Sequence, residues 1–499
     1  MPQSWANYGI DLHLELAGTR VRSGLESALR DAVLTGRLGP GIRLPSSRDL
    51  AADLGIARNT VAEAYGQLVA EGWLEARTGS GTWIAERPVS APQPAGTRAE
   101  GIAGPRYDLR AGVPAVSAFP RRAWLAAGRA ALNAADDSVL GYPDPRGVPE
   151  LRAALAGYLA RARGVIASSE NVIICAGFVH GLALISQVLL ERGAAAVATE
   201  AYGHLLHRRI IGAQGLRTVP LPVDAGGAEP LDTVLSGAGP VDAGPVDVGP
   251  VDVEPAELWS AARTGAGSGT VGAAVLTPAH QFPLGMTLAP GRRTAFVRWA
   301  VQTGGVIVED DYDGEFRFDR QPVGAMQALA PGHVIYAGTA SKSLAPGLRL
   351  GWLVVPDSMV ADIVAAKERS GFFNGALEQL TLAALIGSGG YDRQIRQSRL
   401  AYRRRRDRLI AALHRQAPAV RLTGIAGGLH AVAELPEQES EGDVIARAAR
   451  HGVAVEGLAG FAAAGHQRGP ALVIGFGRPA EHAFTTAVGR LCAALAETA

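Results

Sequence analysis

From Tyr107 onward, short runs of β-branched and apolar residues alternate with longer apolar stretches of helical character. Asn171-Val172-Ile173-Ile174, Gly272-Ala273-Ala274-Val275-Leu276 and Gly305-Val306-Ile307-Val308 are three such runs. Strands separated by helices predict an α/β domain built on a largely parallel sheet. Two other regimes precede it. Residues up to about Ala85 hold three helical patterns. Glu86 to about Arg106 is rich in Pro, Ala and Gly without apolar periodicity, and reads as a linker. The expected organisation is residues 1–85, a linker at 86–106 and a larger domain at 107–499. Within that domain Gly239-Pro240-Val241-Asp242 recurs as Gly244-Pro245-Val246-Asp247 and Gly249-Pro250-Val251-Asp252. Proline at that period forbids helix and central strand, which predicts an exposed insertion.

A chain of 499 residues has ample length for a large core and more than one domain. Its 47% hydrophobic content and formal net charge of +1 point to neither a polyanion nor a membrane surface. Cys175 and Cys492 lie far apart in apolar segments, which fits a reducing compartment. The start, Met1-Pro2-Gln3-Ser4-Trp5, lacks a basic region followed by an apolar run, and no stretch of about 18 uninterrupted apolar residues occurs. A cytoplasmic chain is expected.

The first helical pattern runs from about Arg20 to Thr35, with Val21, Leu25, Leu29, Ala32 and Val33 on one face. Ser46 or Ser47 is placed to cap a second, short helix. Gly55-Ile56-Ala57 makes a turn, and a third helix begins at Arg58-Asn59-Thr60-Val61. Two helices joined by a short glycine-containing turn form a helix-turn-helix. Gly72 to Ile84, with Gly79 and Gly81 inside it, reads as a β-hairpin wing. Residues 1–85 hold eight arginines, no lysine and nine acids, so composition alone does not indicate DNA binding. The order and spacing Leu44-Pro45-Ser46-Ser47-Arg48, Leu54 to Val61 and Leu68 to Leu74 resemble the GntR family of bacterial repressors. That resemblance implies DNA contacts from Arg48, Arg58, Asn59 and Thr60, with the wing around Gly79 against the minor groove.

Just two of the 48 basic residues are lysines, Lys342 and Lys367. A lysine kept where arginine is nearly universal does what arginine cannot: it sheds its proton and attacks a carbonyl. Lys342, in Gly338-Thr339-Ala340-Ser341-Lys342-Ser343, is the candidate covalent anchor. Lys367, in a helical stretch beside Glu368 and Arg369, is expected in solvent. A pyridine aldehyde bound to such a lysine also requires an acid for the ring nitrogen, an aromatic neighbour and a phosphate cradle. Glu309-Asp310-Asp311-Tyr312-Asp313 follows a predicted strand, putting carboxylates where α/β sites lie. Four acids also suit a metal ion, although no nearby histidine or second acidic cluster supports that reading.

The order of these pieces resembles fold-type I pyridoxal-5′-phosphate (PLP) enzymes related to aspartate aminotransferase, across about residues 107–499. The resemblance implies that Asp310 pairs with the pyridine nitrogen, Tyr312 with the ring hydroxyl, and Lys342 with the aldehyde. Arg349, Ser341 and Thr339 would hold the phosphate with the amides of Phe178 and Val179, which open a helix after a glycine turn. Tyr202 would stack on the ring. Tyr142 would reach the partner subunit's phosphate, implying a dimer.

A GntR-like head before an aminotransferase-like body resembles the MocR subfamily, typically head-to-tail domain-swapped dimers. Thr277-Pro278-Ala279-His280-Gln281-Phe282-Pro283 and Glu309 to Arg317 carry that likeness. Two departures stand out. Val473 occupies the place of the aminotransferases' carboxylate-binding arginine, and Arg478 is a weak substitute. Gln281-Phe282 replaces an asparagine motif, and His204 stands where a GABA-responsive relative has a basic residue. The expectation is a PLP-dependent DNA-binding regulator sensing PLP or an amine adduct, with little or no transaminase turnover and a connection to vitamin B6 or amine metabolism. The alternative is an active aminotransferase with a vestigial head. Arg403 to Arg406 are expected to form a solvated arginine face, with phosphate contact as the other reading.

Overall fold

The computed structural model describes residues 21–86, 105–237, 271–318 and 323–497, the side chains of 235–237 excepted. The Gly-Pro-Val-Asp repeats, residues 1–20 and most of the expected linker lie outside the described residues. Two compact units divide the chain between Gly104 and Pro105.

In the first unit α1 (Val21–Leu34), α2 (Ser47–Leu54) and α3 (Arg58–Ala70) precede the hairpin β1 (Leu74–Arg77) and β2 (Gly81–Ile84). Ser46 caps α2 by accepting from the Asp49 amide at 3.2 Å, and Gly55 ends it at φ 65°. The hairpin is antiparallel, Leu74 facing Ile84 and Arg77 facing Gly81. Leu25, Leu29, Ala32 and Val33 bury against Val61, Ala64, Leu68, Leu74 and Ile84. Val21, expected on the same face, is exposed. Helical side chains lean toward the N-terminus, which carries the first residue past the packed turns.

The second unit is organised by a seven-stranded sheet. Its strands are β3 (Val172–Cys175), β4 (Ala196–Glu200), β5 (Arg217–Leu221), β6 (Val271–Leu276), β7 (Val306–Asp310), β8 (Val334–Thr339) and β9 (Gly351–Val354). In space they run β3-β9-β8-β7-β6-β4-β5. All are parallel except β9, antiparallel to both β8 and β3. Residues 340–350 are too short a connection for a parallel crossover, so the chain turns straight back. Helices α4 (Phe178–Glu191) and α5 (Asp357–Ser370) pack against each other beside β3 and β9. Downstream, α6 (Gly390–Gln416) precedes a smaller antiparallel sheet of β10 (Arg421–Thr423), β11 (His430–Glu434), β12 (Glu456–Gly457) and β13 (Ala471–Gly475), ordered β10-β11-β13-β12. Among the described residues, no helix is long and apolar enough to cross a membrane.

Two expectations about cations are corrected here. Lys367 is 1% exposed, and its Nζ donates to the Ile174 carbonyl at 2.6 Å. The buried face of α5 consists of Met359, Ile363, Ala366 and Lys367, so the lysine falls on the apolar stripe at helical spacing. In the arginine run, Arg403 and Arg404 are exposed, Arg406 is half-buried and Arg405 is buried. Arg405 donates to the Phe476 carbonyl (3.0 Å), the Gly477 carbonyl (2.8 Å) and Glu481 (3.0 Å). It shares a face of α6 with buried Tyr402 and Leu409, three and four residues away.

Arg30 forks onto both Glu71 oxygens at 2.9 and 2.8 Å. Those bonds, followed by one from Gln67, hold the Glu71 carboxyl down at about 2 against its ordinary 4.5. A depressed carboxyl contributes stability above the unfolded value and loses it as pH falls through the folded one. Glu71→Gln is therefore expected to flatten the acid-destabilisation profile between about pH 4.5 and 2, read by thermal unfolding across that range.

Candidate ligand cavity and nucleic-acid face

In the first unit Arg48, Arg58 and Asn59 are exposed, Thr60 is half-buried, and Gly79 lies exposed between the wing strands at φ 77°. Arg22, Arg30 and Arg77 are paired with Glu26, Glu63, Glu71 and Glu75. Neither Arg48 nor Arg58 has an ion-pair partner among the described residues. A near-neutral composition thus hides local cations: four glutamates are taken up by Arg22, Arg30 and Arg77, while Arg48 and Arg58, where α2 and α3 begin, carry no ion pair among the described residues. The uncapped start of α3, after Ala57, adds the positive end of a helix dipole.

In the second unit a cavity of about 270 Å³ opens where β4, β6, β7 and β8 end. Of the residues singled out above, it is lined by Phe178, Val179, Tyr202, His204, Phe282, Asp310, Tyr312, Thr339, Ser341, Lys342 and Arg349. Tyr142 is not among them; its side chain is fully exposed.

Lys342 sits in the short helix Ala340–Ser343, its Nζ donating to the Gly112 carbonyl at 2.6 Å. Burial lowers its pKa, opposed by Asp310 and Asp313. Strand alternation separates the acids of the 309–313 cluster. Glu309 accepts the amides of Met326 (2.8 Å) and Gln327 (2.9 Å), and Asp311 is held by Arg163 at 2.6 Å and Tyr336 at 2.7 Å. Of the four, Asp310 alone lines the cavity, and burial drives its carboxyl well above the usual range. Tyr312 Oη lies 3.0 Å from His280 Nδ1, itself 2.8 Å from Asp313 Oδ2.

At one end of the cavity the Cys175–Gly177 turn leads into α4, which has no side-chain cap. Arg349, the one non-glycine residue at positive φ among those described (51°), faces that turn. A Cβ on Gly177 (φ 91°) would stand 3.6 Å from Arg349 Nη1, and one on Gly351 would stand 2.7 Å from Gly177 Cα. Gly351 is required by this close approach, and Gly177 by its left-handed backbone. Arg349 has no ion-pair partner among the described residues, and Asn374 Nδ2 ties its carbonyl (2.8 Å) to that of Cys175 (3.3 Å). Thr339 Oγ1 donates to Ser341 Oγ at 2.9 Å. Open amides, a free guanidinium and two hydroxyls constitute an anion cradle.

The rest of the lining is brought together from distant segments. Glu200 is buried, bonded to Thr277 at 2.5 Å and Gln281 at 3.2 Å. His204 stacks on Phe282 with centroids 4.1 Å apart, and Arg208 donates to the Phe461 carbonyl at 3.0 Å. Burial pushes His204 to about 4 and His207 to about 3, with Lys342 and Arg208 adding to the fall, so neither is a cation at neutral pH. The Arg468 guanidinium lies 5.6 Å from the Tyr202 ring centre. Val473 is buried among Tyr202, Phe282, Val432 and Phe461, and Arg478 is ion-paired with Asp108 outside the cavity lining. His280, Asp313 and His430 bring potential metal-ligand atoms within 4.8 Å of one another, correcting the expectation that no histidine stands near the acids. Chain separation hid them, and His280 is already bonded to Asp313.

A winged helix ahead of an aminotransferase scaffold of fold type I defines a transcriptional regulator whose second unit has an enzyme's fold. Residues 22–84 match the bacterial regulatory proteins of the gntR family, and residues 108–234 and 273–466 match aminotransferase class I and II. The pyridoxine biosynthesis transcriptional regulator PdxR of Corynebacterium glutamicum is 31% identical over 419 residues, 83% of each chain. The probable rhizopine catabolism regulatory protein MocR of Rhizobium meliloti is 31% identical over 411 residues, 78% of this chain and 76% of that one. Pyrococcus horikoshii kynurenine aminotransferase shares the fold, with a TM-score of 0.65, 24% identity and coverage of 79% of this chain and 91% of that one. The chain belongs to the MocR subfamily of GntR-family transcriptional regulators.

Desolvation raises the Glu200 carboxyl to about 7 from 4.5, against the bonds from Thr277 and Gln281. A raised carboxyl costs stability as pH climbs from the unfolded to the folded value, because the unfolded chain ionises first. Between about pH 4.5 and 7 the native chain is expected to lose about 3 kcal/mol more than Glu200→Gln, measured by denaturant unfolding.

Proposed function

We propose that this regulator binds PLP covalently through Lys342 and couples the cofactor's state to DNA binding by its winged helices. The observation that carries the reading is the meeting of Lys342, Asp310 and the anion cradle in one cavity. Its chemistry fits the group. Thr199 Oγ1 and the Tyr202 hydroxyl are buried without a hydrogen-bond partner in the cavity wall, Arg349 lacks a counterion, and buried Asp310 makes no ion pair, with Lys342 as the one cation acting on it. A pyridinium nitrogen would supply the charge that lets Asp310 ionise, and a phosphate would answer Arg349, Ser341, Thr339 and the Phe178 and Val179 amides. When bound, the cofactor supplies an electrophilic aldehyde. The protein's part is to present Lys342 with a lowered proton affinity, fix the ring through Asp310 and Tyr312, and exclude water.

Arg48, Arg58, Asn59 and Thr60 would contact operator DNA, with the wing at Gly79 against the minor groove. The functional unit would be a homodimer, head-to-tail and domain-swapped, in which Tyr142 reaches the partner subunit's cradle. Its full exposure in one chain fits that role. The apolar surroundings of Val473, and the pairing of Arg478 with Asp108, leave no arginine at the enzymes' carboxylate position. That favours a sensor of PLP or a PLP–amine adduct over a working aminotransferase. Likeness to a pyridoxine biosynthesis regulator supports a role in vitamin B6 metabolism.

Borohydride reduction of the PLP-loaded chain is expected to fix the cofactor on Lys342, and Lys342→Ala to abolish attachment, read by mass spectrometry. PLP that changes neither the visible absorbance nor affinity for the chain's own upstream DNA would sink the reading, as would rapid amino-group transfer without DNA binding. Arg58→Ala is expected to weaken operator binding about tenfold and lower the salt slope by about one, measured by fluorescence anisotropy at several salt concentrations.

A further inference from the structure

The second lysine has a use that the covalent chemistry leaves untouched. Lys367 is buried on α5 and forms no ion pair with any described residue. Three donors are available on its ammonium, and the bond recorded for it goes to the carbonyl of Ile174, immediately before the Cys175–Gly177 turn. Asp144, the carboxylate that acts on it, is committed to Arg146 at 2.9 Å and Arg152 at 3.7 Å. An ammonium buried without a carboxylate is costly unless something negative offsets it.

The surrounding geometry indicates what that is. Residues 367–374 hold the cradle from behind: Lys367 fixes Ile174, Asn374 bridges the carbonyls of Cys175 and Arg349, and Phe372 packs edge-on against His180 at 5.0 Å. His180 Nδ1 in turn accepts the Ala176 amide at 3.1 Å. Cys175 on β3 and His180 on α4 each feel both Lys367 and Arg349. Burial lifts the Cys175 thiol to about 11 and depresses His180 to about 4, so both stay neutral around pH 7 to 9. Of the groups coupled to it (Cys175, His180 and Asp144), none changes charge in that window. Lys367 does, since burial brings it to about 8 from 10.5.

We propose that Lys367 is the second cation of the anion cradle, a positioning residue that holds the Cys175–Gly177 turn through the Ile174 carbonyl and adds its charge behind the Phe178 and Val179 amides. The ligand it favours is a doubly charged oxyanion, a phosphate ester or sulfate. This rests on the reading that the cradle takes a phosphate.

Sulfate tests it, because sulfate does not titrate near neutrality. Binding to the full-length chain is followed by calorimetry from pH 6.5 to 9.5. Affinity is expected to fall about tenfold as pH rises through 8, as Lys367 loses its proton. Lys367→Met is expected to bind about tenfold more weakly at pH 7 with no pH step, and Lys367→Arg to bind tightly and evenly through pH 9. A step that persists in Lys367→Met belongs to another group, such as Lys342 in the same cavity, and overturns the proposal. If the methionine variant fails to fold, a step persisting in Lys367→Arg overturns it equally. A native chain without measurable sulfate affinity overturns it together with the phosphate reading, whereas native affinity unchanged in Lys367→Met overturns it alone.

Discussion

Residues 340–350 are all that separate the end of β8 from the start of β9, and the second unit is arranged around that return. Too short for a crossover helix, it forces β9 antiparallel and lays itself across the strand ends. Lys342 lies near its beginning and Arg349 near its end, so one tight segment fixes the spacing between amine and anion cradle. The left-handed backbone of Arg349 and the near-contact of Gly351 with Gly177 show how closely the turn before α4 is pressed against it. Strain of this kind persists where surrounding structure over-determines a position.

Electrostatics then sorts the groups that converge there. Burial neutralises more of them than it charges: His204, His207 and His430 are driven down, while Asp310 and Glu200 are driven up. What remains charged is cationic, chiefly Arg349 and Arg208. Neither has a carboxylate partner among the described residues. The same device appears in the first unit in another form. There Glu26, Glu63, Glu71 and Glu75 pair with Arg22, Arg30 and Arg77, and the arginines at the start of α2 and α3 stay unpaired. In both places position within the ion-pair network, more than net charge, decides where an anion is attracted.

The sequence made the two-part organisation legible because each part carries its signal in contiguous stretches. The helix-turn-helix lies within residues 46–70, and Lys342, Ser341 and Arg349 lie within one return. Asp310 was legible as the end of an apolar strand. Contacts between distant segments were not: His280 with Asp313, Glu200 with Thr277, and Arg208 with Phe461 are brought together by tertiary packing. The antiparallel direction of β9 depends on connection length, which residue type does not report. Lys367 was misjudged because its charge outweighed its spacing. Met359, Ile363 and Lys367 recur every fourth residue, so the period placed it inside while its chemistry suggested solvent.

The scarcity of lysine also has a chemical consequence for selectivity. Aldehydes condense with any accessible unprotonated amine, and a protein with a lysine-rich surface presents many competing nucleophiles. Here the side chains offer two. One is enclosed in a helix face with its lone hydrogen-bond acceptor in the backbone, and the other opens into the cavity. Guanidinium groups, which do not form stable imines under such conditions, supply the remaining positive charge. A reactive carbonyl meeting this surface would encounter almost nothing to divert it, and under the proposed covalent attachment Lys342 would be chosen by elimination as much as by recognition.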